Sequence, residues 1–275
     1  MKEVILDGLL DTLKLIPFLL LSFLIIELIE HKLKSDDILI KTGKFGPLFG
    51  GLLGIIPQCG FASIATNLYI TRIISLGTLI AVYLSTSDEM LPILISENVE
   101  FGIILKILGT KLLIGVIIGF LIDLVYRQKN KHDYHLCKEE HCHCKESIFK
   151  SAMIHTLNIA IFILIINLIL NLVFYLGLEE YLNSILLKDN IFAPVITCLV
   201  GLIPNCASSV IITKLYLNFG ISFGSLIGGL LTNSGVGLLI LFKNNKNLKE
   251  NILIITIVFI VGLLSGIILN MFTFL

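Results

Sequence analysis

Two short stretches carry the first chemical signal. Gly51–Ser63 reads G-L-L-G-I-I-P-Q-C-G-F-A-S, and Gly201–Ser209 reads G-L-I-P-N-C-A-S-S. Each sets a proline, an amide and a cysteine side by side in apolar sequence. A helix starting just after such a break turns its N-terminal dipole on the cysteine, which favours the thiolate and a soft metal or metalloid. Gln58, Cys59, Asn205 and Cys206 are therefore candidate cargo ligands. The plainer alternative is a small residue filling a tight turn.

A polar cluster follows each cysteine segment. It is Thr86-Ser87-Asp88-Glu89 in one copy and Thr232-Asn233-Ser234-Gly235 in the other. Carboxylates set in apolar segments are costly and mark ion pathways. Thr86, Ser87, Asp88, Glu89, Thr232, Asn233 and Ser234 are candidate cargo ligands, charged in one copy and neutral in the other. Lys111, deep in the next apolar segment, could neutralise Asp88 or Glu89 when the site is empty. Carboxylates that lose protons as a cation binds would couple the cycle to protons. A purely structural ion pair would look the same. Asp11, Glu27, His31 and His155 are further candidates, for gating or proton coupling. Glu27 and His31 are four apart and share a helix face. Interfacial residues wetted by solvent are the bland alternative, and Lys14 snorkels or pairs with Asp11.

The third constellation is H-D-Y-H-L-C-K-E-E-H-C-H-C. It contributes His132, His135, Cys137, His141, Cys142, His143 and Cys144. Imidazole with thiolate selects Zn²⁺, Cu⁺ and similar ions over Mg²⁺ or Ca²⁺. The spacing is too compressed for a folded zinc finger, so a metal-capturing loop is expected. An accidental polar linker is the alternative.

The elements that must position these groups are membrane helices. The chain of 275 residues is 56% hydrophobic and 15% charged, against about a quarter charged for a soluble domain. Runs of roughly 20 apolar residues recur, enough to cross a hydrocarbon core. Residues 160–166 are apolar on every face, with no amphipathic stripe. The expected class is an all-α polytopic membrane protein. The formal net charge is zero, and no nucleic-acid signature appears. The first apolar run, Leu9–Ile29, holds Asp11 and Lys14 and lacks a cleavage motif, so a retained helix is expected there. Six cysteines, three in one loop, do not form a secreted disulfide framework.

The sequence repeats itself. A shift of 147 residues lays Gly54–Ser87 on Gly201–Ser234 with 15 identities in 34 positions. Paired Pro57/Pro204, Cys59/Cys206, Tyr69/Tyr216 and Gly77/Gly224 are beyond shared apolar composition. Three parts are expected: a first membrane repeat over 1–126, a His/Cys-rich linker over 127–147 and a second repeat over 148–275. Each repeat reads as a long helix, a segment broken at Pro-x-Cys, a helix with the polar cluster and a last helix. Lys32, Lys34, Lys41, Lys44, the basic linker, Lys243, Lys246 and Lys249 flank one side. Glu97, Glu100, Glu179, Glu180 and Asp189 flank the other. Basic loops stay in the cytoplasm. The charges agree only if each broken segment enters and returns as a re-entrant hairpin. Three crossings per repeat then invert the second against the first, and the hairpin tips meet near mid-membrane, as in secondary transporters.

The motifs P-Q-C-G-F (Pro57–Phe61), T-S-D-E (Thr86–Glu89), H-C-H-C (His141–Cys144), P-N-C-A-S-S (Pro204–Ser209) and T-N-S-G-V-G (Thr232–Gly237), with E-L-I-E-H-K at Glu27–Lys32, resemble a known group. It is the prokaryotic family of ten-helix heavy-metal exporters, whose members are labelled arsenic efflux proteins or manganese transporters. The resemblance covers essentially the whole chain and implies export of a metal or metalloid. Ten helical segments follow if each hairpin arm counts as one. No Walker motif, aspartyl-phosphate motif, H-E-x-x-H or nucleophile–base pair is present, so a gradient-driven transporter is expected and an enzyme is not. The expected setting is the cytoplasmic membrane, with the His/Cys loop inside. The expected partners are the ion and the bilayer, with no tightly bound cofactor and no nucleic acid. A homo-oligomer is compatible with the sequence. Mn²⁺ held by oxygens, and a metal sensor without transport, are the alternatives.

Overall fold

The computed structural model describes residues 9–10, 12–13, 15–21, 23–24, 45–57, 59–87, 89–126, 148–173, 193–218 and 220–273. Those described between 9 and 24 are helical. The following helices are α1 (Gly46–Gly54), α2 (Cys59–Ile70), α3 (Leu76–Ser85), α4 (Met90–Ser96) and α5 (Phe101–Val125). Then come α6 (Ile148–Val173), α7 (Ala193–Gly201), α8 (Cys206–Leu217), α9 (Phe223–Thr232), α10 (Gly237–Asn244) and α11 (Leu248–Thr273). No strand occurs among the described residues. The protein is a polytopic helical membrane protein. Among the described residues five segments are long and apolar enough to cross a bilayer: Leu76–Ser96, Phe101–Val125, Ala152–Ile169, Phe223–Asn244 and Leu248–Phe272.

The 147-residue shift carries the starts of α1 to α5 onto the starts of α7 to α11. Local chemistry explains the shared boundaries. Pro47 and Pro194 sit in the first turns of α1 and α7, where a missing N–H is harmless. Ser75 and Ser222 cap α3 and α9, accepting from Thr78 N at 3.1 Å and Ser225 N at 3.2 Å. Each capping hydroxyl is pinned by a neighbouring helix. Ser75 Oγ donates to Asp123 Oδ2, and Ser222 Oγ to Asn270 Oδ1, both at 2.7 Å.

α3 and α9 form the centre, buried on every face. α5 and α11 cover them and turn Leu105, Leu113, Leu121, Ile252 and Leu264 outward. Small residues allow the close approach that packs helices where the surroundings are as apolar as the core. A Cβ on Gly77 would run into the Gly119 carbonyl, and one on Gly224 into the Gly266 carbonyl.

α1 runs alongside α3 in the same direction. Gly46 faces Thr78, Gly50 faces Thr78 and Val82, and Gly54 faces Val82 and Ser85. α2 then returns, and residues 71–75 lead straight into α3. With nine and twelve residues, the arms reach only about 14 and 18 Å at 1.5 Å per residue. α7 follows α9 in the same way, with Cys198 beside Gly228 and Thr232 beside Gly201.

The repeats exchange contacts. α10 packs on α2, α4 on α8, and α3 on α9. Thr66 Oγ1 on α2 hydrogen-bonds Tyr83 Oη at 2.6 Å and donates to the Gly237 carbonyl at 3.4 Å. A second apolar cluster joins Leu15, Leu19 and Phe23 of the first helical stretch to Ile159 and Ile163 of α6, with Cys206, Val236 and Ile240.

Candidate functional site

The sequence places one continuous helix across each polar cluster. The structure breaks both. α3 ends at Ser85 and α4 starts at Met90; α9 ends at Thr232 and α10 starts at Gly237. Thr86 leaves the helical region with φ −52° and ψ 128°, and Asn233 with φ −80° and ψ 98°. Side chains that compete for backbone partners help end each helix. Ser85 Oγ donates to the Ala81 carbonyl at 2.7 Å and Thr86 Oγ1 to the Val82 carbonyl at 2.8 Å. Gly235, at φ 54°, completes the second turn and donates its N–H to Asn233 Oδ1 at 3.1 Å.

Lys111 joins the two breaks. Only 1% exposed, its Nζ donates to the main-chain carbonyls of Thr86 and, at 2.9 Å, Leu230. These carbonyls lie at the C-terminal ends of α3 and α9, where helix dipoles gather negative charge. Two half-helix ends thus converge on one ammonium, the arrangement by which broken helices hold cations.

Most polar side chains of the breaks are already committed. Ser87 Oγ donates to the Ile55 carbonyl, in the turn after α1. Thr232 Oγ1 donates to the carbonyls of Cys198 at 3.0 Å and Gly229 at 2.9 Å. Ser234 is the exception: 1% exposed, its Oγ has no hydrogen-bond partner. A buried hydroxyl left so costs about 1–3 kcal/mol, a penalty a bound ion would lift. Glu89 is half-buried at the start of α4.

At the second hairpin tip, Asn205 is 3% exposed and caps α8. Its Oδ1 accepts from Ala207 N at 3.0 Å. Cys206 opens α8 and is buried in the apolar cluster with Leu15, Leu19 and Phe23. At the first tip a Cβ on Gly60 would run into Phe18, whose ring lies 6.0 Å from that of Phe61. The first helical stretch therefore meets the first tip and shares an apolar cluster with the second. Cys59 and His155 sit on α2 and α6, but their side chains lie outside the described residues. Asp11, Glu27, His31, Gln58, Asp88 and the whole of His132, His135, Cys137, His141, Cys142, His143 and Cys144 also lie outside them. Among the described residues no three His, Cys, Asp or Glu side chains gather as a metal cluster.

The sequence pattern gives no sign of the tie between the halves. Arg72 Nη1 and Nη2 donate to Glu250 Oε1 at 2.5 Å and Oε2 at 2.8 Å. Tyr69 Oη donates to the same carboxylate, and the guanidinium lies 5.2 Å from the Tyr69 ring centre. The hydrogen bonds that Arg72 donates to Glu250 hold the guanidinium above its ordinary value. Arg72 has a left-handed φ of 63°.

No curated protein and no solved structure matches the chain. The family described as "Putative, 10TM heavy-metal exporter" matches residues 2–179 and 157–274, which take in both hairpins and both breaks, and the protein belongs to that family.

Proposed function

We propose that the protein is a secondary-active transporter that exports a heavy-metal ion or metalloid from the cytoplasm. Its repeats are inverted, and cargo sits where their hairpin tips and helix breaks meet. The observation that carries this reading is the position of Glu250. α11 runs antiparallel to α9, with Gly266 beside Gly224 and Gly262 beside Gly228. Glu250 therefore lies about 18 Å beyond Gly262, away from the Ser222 end of α9. It pairs with Arg72, three residues before the Ser75 cap of α3. The starts of α3 and α9, and with them the two hairpin entrances, fall at opposite ends of the molecule. That is what opposed re-entrant hairpins require.

The cargo ligands in this reading are Thr86, Ser87, Asp88 and Glu89 from one break and Thr232, Asn233 and Ser234 from the other. Gln58, Cys59, Asn205 and Cys206 supply the tips. Lys111 holds the empty site together and yields to an arriving cation. Asp11, Glu27, His31 and His155 serve gating or proton movement along the two approaches. The cytoplasmic His/Cys linker collects cargo. A proton or ion gradient drives the cycle, since the sequence has no nucleotide-binding motif.

A second reading keeps the fold and makes the cargo Mn²⁺. The unpaired Ser234 Oγ and the oxygen-rich breaks favour it, because Mn²⁺ prefers oxygen ligands. Cys206, packed among apolar side chains, adds weight on the same side.

The test is ion flux in vesicles carrying the purified protein. Arsenite or a soft cation driven against its own gradient by an imposed proton gradient supports the first reading. Mn²⁺ flux that survives Cys59→Ser with Cys206→Ser but fails with Asp88→Asn supports the second. Absence of flux for every ion tested defeats both.

A further inference from the structure

Two buried side-chain oxygens among the described residues lack a hydrogen-bond partner: Ser234 Oγ and Asn167 Oδ1. Asn167 is 3% exposed and lies on α6, a helix that supplies no cargo ligand in the reading above. Folded proteins keep few such atoms. Two in one molecule call for an explanation, and their relative placement suggests a shared one.

The register of α6 against α10 sets that placement. Lys243, near the end of α10, donates to the Asn158 carbonyl at 2.6 Å and lies 4.9 Å from the Phe162 ring centre. Further along α6, Ile163 shares an apolar cluster with Ile240 and Val236. In the topology of the transporter reading α6 leaves the cytoplasmic linker and α10 returns to the basic Lys243–Lys249 loop, so the two helices run antiparallel. The buried positions Ala152, Thr156, Ile159, Ala160, Ile163 and Asn167 recur at three and four residues and form one face. Asn167 is one turn past Ile163, about 6 Å along the axis. The same step along α10 leads from Ile240 toward Val236 and Ser234. Counted from the Lys243–Asn158 contact in that topology, the two unpaired oxygens fall at similar depth, near the α9–α10 break.

We propose that Asn167 is a cargo ligand that acts with Ser234 to form the oxygen-donor wall of the site on the second repeat's side. This rests on the transporter reading above and extends it to a helix outside both breaks. An amide oxygen has lone pairs and no proton to give. Its match is an electron-poor centre, either a metal cation or an O–H group of a hydroxylated metalloid. Among its described residues the first repeat offers no such pair. Position 20, 147 residues before Asn167, is Leu20, and Ser87, the counterpart of Ser234, already donates to the Ile55 carbonyl. The wall is thus one-sided and complements the carboxylates of the first repeat.

Asn167→Leu separates a ligand from a packing defect, because it removes the oxygen and keeps the volume. Purified wild-type and N167L protein are heated with and without Mn²⁺ or arsenite, and vesicle flux is measured over a range of each ion. The inference expects ion-free N167L to melt no lower than wild type, to lose the ion-induced rise in Tm, and to show KM at least tenfold higher. Stabilisation of wild type by Mn²⁺ identifies a cation as the occupant; stabilisation by arsenite identifies the hydroxylated metalloid. A wild type that transports, with N167L unchanged in KM and ion-induced shift, overturns the inference and leaves the transporter reading intact. A wild type that neither binds nor moves either ion overturns the transporter reading and this assignment with it. Should N167L fail to fold, Asn167→Ser keeps a smaller oxygen and is expected to raise KM with ion-free Tm near wild type; unchanged KM in N167S then counts against the assignment.

Discussion

Lys111 Nζ reaches from the first repeat to donate to the Leu230 carbonyl of the second at 2.9 Å. The same ammonium holds the Thr86 carbonyl. Lys111→Met keeps most of the stem and strips the donors from two buried carbonyls. At about 1–3 kcal/mol for each stranded acceptor, the variant should melt well below wild type in detergent. Its flux should fall as well, because both breaks lose their common anchor. A melting temperature equal to wild type would show that these carbonyls do not depend on the ammonium.

Arg72 and Glu250 form a second tie between the repeats, with side chains 28% and 14% exposed. Arg72→Ala should cost about 1–3 kcal/mol, between the values for surface and buried pairs. A transporter that rocks one repeat against the other must open this contact during its cycle. Arg72→Cys with Glu250→Cys, joined by a short bifunctional reagent, should stop flux, and a cleavable linker should restore it on reduction. Flux that continues through the cross-link would mean that this end of the molecule stays closed throughout.

Much of this architecture is legible in the residues. Pro57 and Pro204 mark the hairpin tips and the 147-residue register predicts corresponding helices, while the capping roles of Ser75 and Ser222 show only in the structure. The breaks after Ser85 and Thr232 are half legible. The polar clusters announce them, but apolar flanks on both sides read as one helix, and the main-chain exit at Thr86 shows only in its dihedrals. The Arg72–Glu250 tie is not legible, because no period relates residues so far apart in the chain. In sequence Asn167 is one polar residue in an apolar run. Its meaning comes from the empty acceptor, which only the folded structure shows.

The glycines of the central interface give a paired stability test. Gly77→Ala would drive a methyl group into the Gly119 carbonyl and the Asp123 carboxylate. It should separate α3 from α5 and cost about 1–3 kcal/mol or more, the range for overpacking. Gly109, on α5, faces open space: a Cβ added there would meet nothing within 4 Å. Gly109→Ala should therefore be neutral or stabilising by about 0.5–1 kcal/mol from helix propensity. Equal losses in both variants would show that close approach at Gly77 is not what unites the helices.

The proposed inverted arrangement can be tested without any cargo. Phe45 is exposed just before α1, and Asn218 is exposed at the end of α8. In a cysteine-free background, Phe45→Cys should react with an impermeant thiol reagent from the cytoplasmic face and Asn218→Cys from the other. Labelling of both from one face would place the two hairpin entrances together and remove the symmetry on which mid-membrane cargo binding depends.

A capture role for the linker can be told apart from a role in passage. Its seven His and Cys residues fall between residues 132 and 144, away from the hairpins and breaks in sequence. If they only gather cargo from the cytoplasm, deleting residues 133–144 removes a local store of ion and leaves the path through the bilayer intact. In vesicle flux the expected result is a several-fold rise in KM with maximal rate near wild type, the pattern of lost uniform binding. In cells, metal tolerance should fall most at low external metal and recover as the site saturates. A collapse of maximal rate at saturating ion would instead tie the loop to the conformational cycle, and would move its thiols and imidazoles from collection to gating.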